Sequence, residues 1–153
     1  MPNRAWRGCS GRAVSLVAEE SVGTMTINGE ADLLRVRAML RAEAQVAGLS
    51  LTAETKLVTA GSELARNIVR YATHGQGTAA VERLTSGERR GVRAVFSDSG
   101  PGIADLDQVM RDGFSTGGSL GLGLPGSRRL VDEFSIDSAA DRGTTVVIAQ
   151  WAR

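Results

Sequence analysis

The chain has 153 residues, 42% of them hydrophobic and 23% charged, which fits one globular domain and excludes a wholly disordered or fibrous protein. A formal net charge of +1 and only 4% aromatic residues argue against nucleic acid as a partner, because the chain has neither a basic field nor stacking platforms. The only lysine, Lys56, lies in no Gly-Lys-Ser/Thr sequence, which excludes a P-loop nucleoside triphosphatase.

Cysteine and histidine are too scarce for an internal disulfide or a Cys/His zinc site, since Cys9 and His74 are the only ones. The apolar stretch that follows the basic N-terminal residues is short and interrupted by Ser15. We therefore expect no secretory or transmembrane segment, a cytoplasmic location and no membrane partner.

The N-terminal half is predicted to contain one strand and two helices. Residues 1–20 are expected to be a disordered extension, and residues 21–153 a single domain. Residues 22–28 are rich in β-branched side chains and lead into Asn28-Gly29, which predicts a strand and a turn. Apolar residues recur every three to four positions over residues 30–48, which predicts a helix that ends at the C-cap Gly48. A second helix is predicted over residues 52–72, with Thr52 as its N-cap.

The C-terminal half is predicted to contain four strands and one helix. Residues 78–84 and 92–97 read as a β-hairpin around a charged, glycine-flanked turn. Residues 124–134 predict a third helix with Leu130 and Phe134 on one face, and residues 134–138 and 144–151 predict two strands. Because helices are mixed with hairpins, a purely parallel sheet does not fit, whereas an α+β layer fold does.

Two polar motifs could carry chemistry. Glu63 and Asn67 are four residues apart on the second helix, so that a carboxylate and a carboxamide share one face. Asp98 follows a predicted strand and is succeeded by Gly100 and Gly102, which would let a ligand approach without hindrance from Cβ atoms. Taken alone, the first pair is typical of a solvated helix face and the second motif of an ordinary turn.

A glycine cluster completes the set, because eight of the 19 glycines lie between Gly100 and Gly126. Gly121, Gly123 and Gly126 match the dinucleotide fingerprint, but loop-forming residues rather than a strand precede them, which argues against a Rossmann site. A glycine- and hydroxyl-rich loop that leads into a helix N-terminus could still hold phosphate through backbone N–H groups, and the alternative is a simple loop.

Together, in this order, the motifs resemble the GHKL ATPase superfamily with its Bergerat fold. Within it the chain is similar to the anti-sigma-factor serine/threonine kinases, and most of all to the stressosome switch kinases. The resemblance spans about residues 22–153 and is carried by Ser62-Glu63-Leu64-Ala65-Arg66-Asn67-Ile68, Asp98-Ser99-Gly100-Pro101-Gly102-Ile103, Asp112-Gly113-Phe114-Ser115-Thr116, Gly121-Leu122-Gly123-Leu124-Pro125-Gly126 and Asp132-Glu133-Phe134. It implies a two-layer α/β sandwich in which a mixed sheet packs on one layer of about three helices.

The resemblance also implies ATP and Mg²⁺ as cofactors and a role for each motif. Asn67 would coordinate the metal, Glu63 would act as base or orienter for the attacking hydroxyl, and Asp98 would accept a hydrogen bond from the adenine amino group. Gly100 and Gly102 would let the base come close, and Thr144 would support the adenine end. The lid over the phosphates would comprise Ser115, Thr116, Gly117, Gly118, Gly121, Leu122 and Gly123.

One feature departs from a typical phosphate site, because residues 113–126 contain neither lysine nor arginine. Charge stabilisation there would depend on backbone N–H groups and the metal. Arg66 and Arg128 are more distant candidates, between which the sequence does not choose.

Three functions are compatible with the resemblance. The first is a serine/threonine-protein kinase that phosphorylates STAS-domain antagonist or scaffold proteins in a partner-switching stress or sigma-factor pathway. The second is a binding module that activates a PP2C-type phosphatase, and the third is an anti-sigma factor that sequesters a sigma factor.

Overall fold

A computed structural model describes residues 4–7, 17–103, 105–111 and 123–153 of the chain. In these ranges a six-stranded sheet carries helices on one face. The elements are β1 Arg4–Arg7, β2 Ala18–Ile27, α1 Ala31–Ala47, α2 Leu51–Tyr71, β3 Gly77–Ser86, β4 Arg89–Asp98, α3 Leu106–Val109, α4 Gly123–Leu130, β5 Glu133–Ser138 and β6 Thr144–Trp151. No helix in the described ranges is long and apolar enough to cross a membrane.

The strand order is β1-β5-β6-β4-β3-β2, and every neighbouring pair is antiparallel. This architecture confirms the α+β, two-layer prediction, but the expected mixed sheet is wrong in detail. β4 and β5 run in the same direction, yet the β5–β6 hairpin places β6 between them. Each strand therefore meets only antiparallel neighbours.

The core lies between the sheet and the helices α1 and α2, and α4 packs against α2. Strands β3 and β4 alternate in the way a half-covered sheet requires, and the cross-strand pairs Ala79–Phe96 and Val81–Ala94 are buried on the helix side. On the helices, Leu40 and Leu57 are fully buried. The aliphatic composition thus supplies the main core beneath the two helices, and Leu84, Ala149 and Trp151 form a second, smaller cluster.

Several predicted elements are confirmed, with small shifts at their ends. α1 ends at Gly48, which caps the helix in the left-handed conformation at φ 78°. The predicted hairpin is longer than expected, because β3 and β4 continue to a tight turn around Gly87. β5 and β6 match their predicted spans closely.

The third helix ends earlier than the pattern indicates. α4 stops at Leu130, and Phe134 lies in β5, buried on the helix side of the sheet with Ile136. The four-residue spacing of Leu130 and Phe134 imitates a helix, whereas Phe134, Ile136 and Ser138 alternate as in a strand. α3 and β1 had not been predicted.

Two parts of the predicted N-terminal extension form strands in the described residues. Residues 4–7 form β1, which pairs with β5 at one edge of the sheet, and residues 18–20 open β2 at the other edge. The rest of that extension lies outside the described residues.

The N-cap of α2 is Ser50, not Thr52 as predicted. The Ser50 side chain accepts the backbone N–H of Ala53 at 3.1 Å, and its own backbone is extended. Thr52 lies inside the first turn and is exposed. Both residues carry a hydroxyl, and the one that precedes the helical backbone satisfies the free N–H group.

This cap gives a stability prediction with a matched control. The variant Ser50→Ala should lower the free energy of unfolding by about 1 kcal/mol, because an N–H group at the start of α2 loses its acceptor. The variant Thr52→Ala should change it by less than about 0.5 kcal/mol, as is usual at an exposed site. Urea unfolding of both variants measures the difference, and an equal loss in both would contradict the assignment of the cap.

Candidate functional site

The central helix α2 carries Glu63 and Asn67 on one face. Glu63 is 7% exposed, and its Oε1 accepts a hydrogen bond from Arg66 Nη1 at 2.8 Å. Asn67 is half-buried, and its carboxamide bonds to no group among the residues that the structure describes. Thus the Glu63 carboxylate, which is paired with the Arg66 guanidinium, shares a helix face with the Asn67 amide, whose oxygen is available to a ligand.

Asp98 ends β4 on the helix side of the sheet. Its Oδ1 accepts the Gly100 N–H at 2.8 Å, and the carboxylate also accepts the backbone N–H of Thr144. Burial raises the pKa of Asp98 above the usual value for an aspartate, and these two N–H groups oppose the shift without cancelling it. The structure therefore keeps a partly desolvated carboxyl at a strand end, with backbone donors that favour its ionised form.

Asp98 lies beneath the C-terminal end of α2. It pairs with Gly77 of β3, and a Cβ at Gly77 would come within 2.8 Å of Ile68 in α2. On the other side, a Cβ at Gly100 would meet the Cα of Ala72 at 2.9 Å. The Asp98 loop thus lies next to the C-terminal end of α2, the helix that carries Glu63 and Asn67.

Rise along the helix sets the spacing of this arrangement. At 1.5 Å per residue, Asn67 is about 7.5 Å and Glu63 about 13.5 Å along the axis from Ala72, which lies next to the Asp98 loop. The Asp98 loop therefore lies beside the C-terminal end of α2, and the Glu63–Asn67 face lies further back along the helix.

At Gly100 and Gly102 the neighbouring backbone leaves no room for a side chain. A Cβ at Gly100 would crowd Ala72 and Thr73, and a Cβ at Gly102 would clash with the Ala139 carbonyl oxygen. Gly102 also has a φ of +75°, which favours glycine. Internal packing is enough to account for both glycines, so the close approach of adenine expected for them remains a prediction.

A buried hydroxyl network fastens the Asp98 loop to the β5–β6 turn. Ser138 Oγ accepts the Ile103 N–H at 2.8 Å, donates to the Gly143 carbonyl at 3.0 Å and lies 2.8 Å from Thr144 Oγ1. Gly143 has a φ of +78°, and any side chain there would clash with the Asp98 carbonyl. Thr144, expected at the adenine end, therefore lies next to Asp98 and belongs to its support.

Ser138 and Gly143 are supporting residues that the sequence reasoning did not single out. Ser138 could have been identified because it occupies an inward-facing position of the alternating strand pattern Phe134, Ile136, Ser138. Gly143 is recognisable in the sequence as the glycine of an Asp-Arg-Gly turn, but its contact with Asp98 is not.

Most of the expected lid lies outside the described residues, namely Ser115, Thr116, Gly117, Gly118, Gly121 and Leu122. Gly123 is described and opens α4, where its carbonyl accepts a hydrogen bond from Ser127 Oγ at 3.0 Å. α4 packs against α2, the helix that carries Glu63 and Asn67.

A self-sufficient metal centre is not present in the described part of the chain, where no three His, Cys, Asp or Glu residues cluster suitably. Mg²⁺ commonly takes only one or two protein oxygens and completes its shell with water and substrate phosphates. The unpartnered amide oxygen of Asn67 fits that way of binding.

Comparisons with known proteins identify the family of the chain. Residues 28–151 match the model of the histidine kinase-like ATPase domain. The chain is 43% identical over 124 residues to the serine/threonine-protein kinase RsbT of Bacillus subtilis (strain 168), an alignment that covers 81% of this chain and 92% of that protein. Both findings confirm the resemblance and the enzyme class expected from the sequence. The chain therefore belongs to the histidine kinase-like ATPase family, as a homologue of a serine/threonine-protein kinase.

Proposed function

We propose that this protein uses Mg²⁺-ATP to phosphorylate serine or threonine in STAS-domain antagonist or scaffold proteins, within a cytoplasmic partner-switching pathway that controls a stress response or a sigma factor. The observation that carries the proposal is the 43% identity to RsbT over nearly the full length of that kinase. We further propose residues 21–153 as the kinase domain, a span that contains the family match.

The layout of the site supports the binding of a nucleotide along α2. Adenine would lie at the Asp98 end, where the ionised carboxyl accepts from its amino group, with Thr144 behind it. The phosphates would then extend towards Asn67 and Glu63, further along α2. Mg²⁺ on the Asn67 amide oxygen would neutralise phosphate charge when bound.

The protein's own residues would do little covalent chemistry, which suits phosphoryl transfer, a reaction that depends mainly on positioning and electrostatics. Glu63 would accept the proton of the substrate hydroxyl while the hydroxyl oxygen attacks the γ-phosphorus of ATP. ADP would leave with the electron pair of the broken P–O bond. A carboxylate that is buried on the same helix face as the proposed metal ligand is suited to that role.

Two further outcomes remain part of the proposal as alternatives. As a binding module, the protein would activate a PP2C-type phosphatase whether or not it transfers phosphate. As an anti-sigma factor, it would sequester a sigma factor, and a sigma factor recovered in a pull-down with wild-type protein would favour that function.

The metal assignment predicts the behaviour of the variant Asn67→Ala. Transfer of radiolabelled γ-phosphate to a STAS-domain protein encoded beside this one should fall by at least about 100-fold, because the oxygen ligand that positions the metal and phosphates is lost. The exposed α1 variant Gln45→Ala is the control and should transfer phosphate at the wild-type rate.

Undiminished labelling by Asn67→Ala would contradict the role of Asn67. The same folded variant, mixed with the phosphatase, tests the binding module, which predicts full stimulation without phosphoryl transfer. Loss of stimulation together with loss of ATP binding would show that the two activities are not separable.

The adenine assignment predicts that Asp98→Asn abolishes detectable ATP binding without lowering thermal stability. The amide presents N–H donors where the adenine amino group needs an acceptor. Because burial raises the pKa of Asp98 in the folded state, its ionised form opposes folding, and its contribution to stability declines as pH rises through that pKa. The neutral variant lacks this cost.

The pH dependence of ATP binding by the wild type provides a second measurement. Affinity should decline on acidification at a pH above 3.8, the ordinary aspartate value, because protonation of Asp98 removes the acceptor. Isothermal titration with ATP, with differential scanning fluorimetry of both proteins, checks the prediction. Wild-type ATP affinity in Asp98→Asn would refute it.

A further inference from the structure

The basic residue nearest to the proposed catalytic carboxylate is Arg66, and its charge is already engaged. Arg66 Nη1 lies 2.8 Å from Glu63 Oε1, and the two side chains are 35% and 9% exposed. No donor among the described residues contacts the second oxygen, Oε2. The carboxylate is thus held at one oxygen and left available at the other.

Helix geometry gives this contact a direction. Successive residues of an α-helix are about 100° apart, so Arg66 lies about 60° to one side of Glu63 and Asn67 about 40° to the other. Arg66 therefore lies on the flank of Glu63 opposite Asn67. An ion pair on that flank favours a position of the Glu63 carboxylate away from the amide proposed as a metal ligand.

We propose that Arg66 is a positioning residue that holds Glu63 through Oε1, so that Oε2 accepts the proton of the substrate hydroxyl and the carboxylate does not join the metal beside Asn67. This proposal rests on the proposed function. The guanidinium suits the task because its planar fork fixes a carboxylate in orientation, which a flexible ammonium does less well.

The alternative role for Arg66 is direct contact with the phosphates, which the lack of basic residues in positions 113–126 makes attractive. In the structure its guanidinium is committed to a carboxylate with little exposure to solvent. Moving it to the phosphates would leave that carboxylate without its charge partner. The two roles differ in whether the effect of Arg66 depends on Glu63.

A double-mutant cycle separates these roles. Phosphoryl transfer to the STAS-domain protein is measured for wild type, Arg66→Ala, Glu63→Gln and the double variant, with kcat and the KM for ATP determined separately. We expect Arg66→Ala to lower kcat by about tenfold with the KM for ATP within about twofold of wild type. In the Glu63→Gln background it should have no further effect, since the residue through which it acts is gone.

Two additional variants control for structure. Arg66→Lys retains the charge at the same position and should recover part of kcat. Arg35→Ala removes an ion pair of the same three-residue spacing, between Arg35 and Asp32 at 3.3 Å on α1, and should leave kcat unchanged. Urea unfolding of all variants identifies any loss of kcat that comes from loss of folded protein.

The outcomes are distinct. A raised KM for ATP in Arg66→Ala, with effects that multiply in the double variant, would assign Arg66 to the phosphates and overturn the proposal. An unchanged kcat would also overturn it. If wild-type protein transfers no phosphate to the STAS-domain protein, the proposed function fails and this proposal with it, whereas an active wild type with either preceding result refutes the role of Arg66 alone.

Discussion

The close approach of α2 to its neighbours is the constraint on which the rest of the structure depends. At Gly61 a side chain would clash with Leu40 of α1 and touch Phe96 of β4, and at Gly77 it would press on Ile68 and the Ser97 carbonyl. Two missing side chains thus let the helix lie directly on the sheet and on α1. Any separation at these points would move the Glu63 and Asn67 face relative to Asp98, because rigid packing transmits displacement through the core.

The Asp98 end of the site shows how a sheet can support a carboxyl that is costly to bury. The end of β4 lies between Gly77 of β3 and Thr144 of β6, and the Ser138 hydroxyl ties the following loop to the β5–β6 turn. Backbone N–H groups from Gly100 and Thr144 partly offset desolvation, although burial still raises the pKa of Asp98. Ionisable groups whose pKa is shifted by burial, at some cost to the stability of the fold, are typical of binding and catalytic sites.

Much of this arrangement could be predicted from the sequence, and the errors have physical causes. The regular period of α1 and the Gly48 cap identified that helix, and the family motifs identified Glu63, Asn67 and Asp98 as candidates. The choice between Ser50 and Thr52 as cap depended on where the helical backbone starts, which two neighbouring hydroxyls do not reveal. Contacts between distant segments, such as Gly143 with Asp98, require the folded chain, because no local pattern encodes them.

The electrostatic potential of the proposed site depends on which positive charges are not already paired with a carboxylate. Glu63 engages Arg66, so under the proposed function the positive potential for a polyphosphate must come from elsewhere. The start of α4 is one source in the described residues, since the first N–H groups of a helix lack internal partners and carry a partial positive charge. Pro125 removes one of these donors, which leaves the N–H groups of Gly123, Leu124 and Gly126. Under the proposed function, a site built from backbone amides, one carboxamide and a divalent metal would allow a chain with a single lysine to bind a nucleotide.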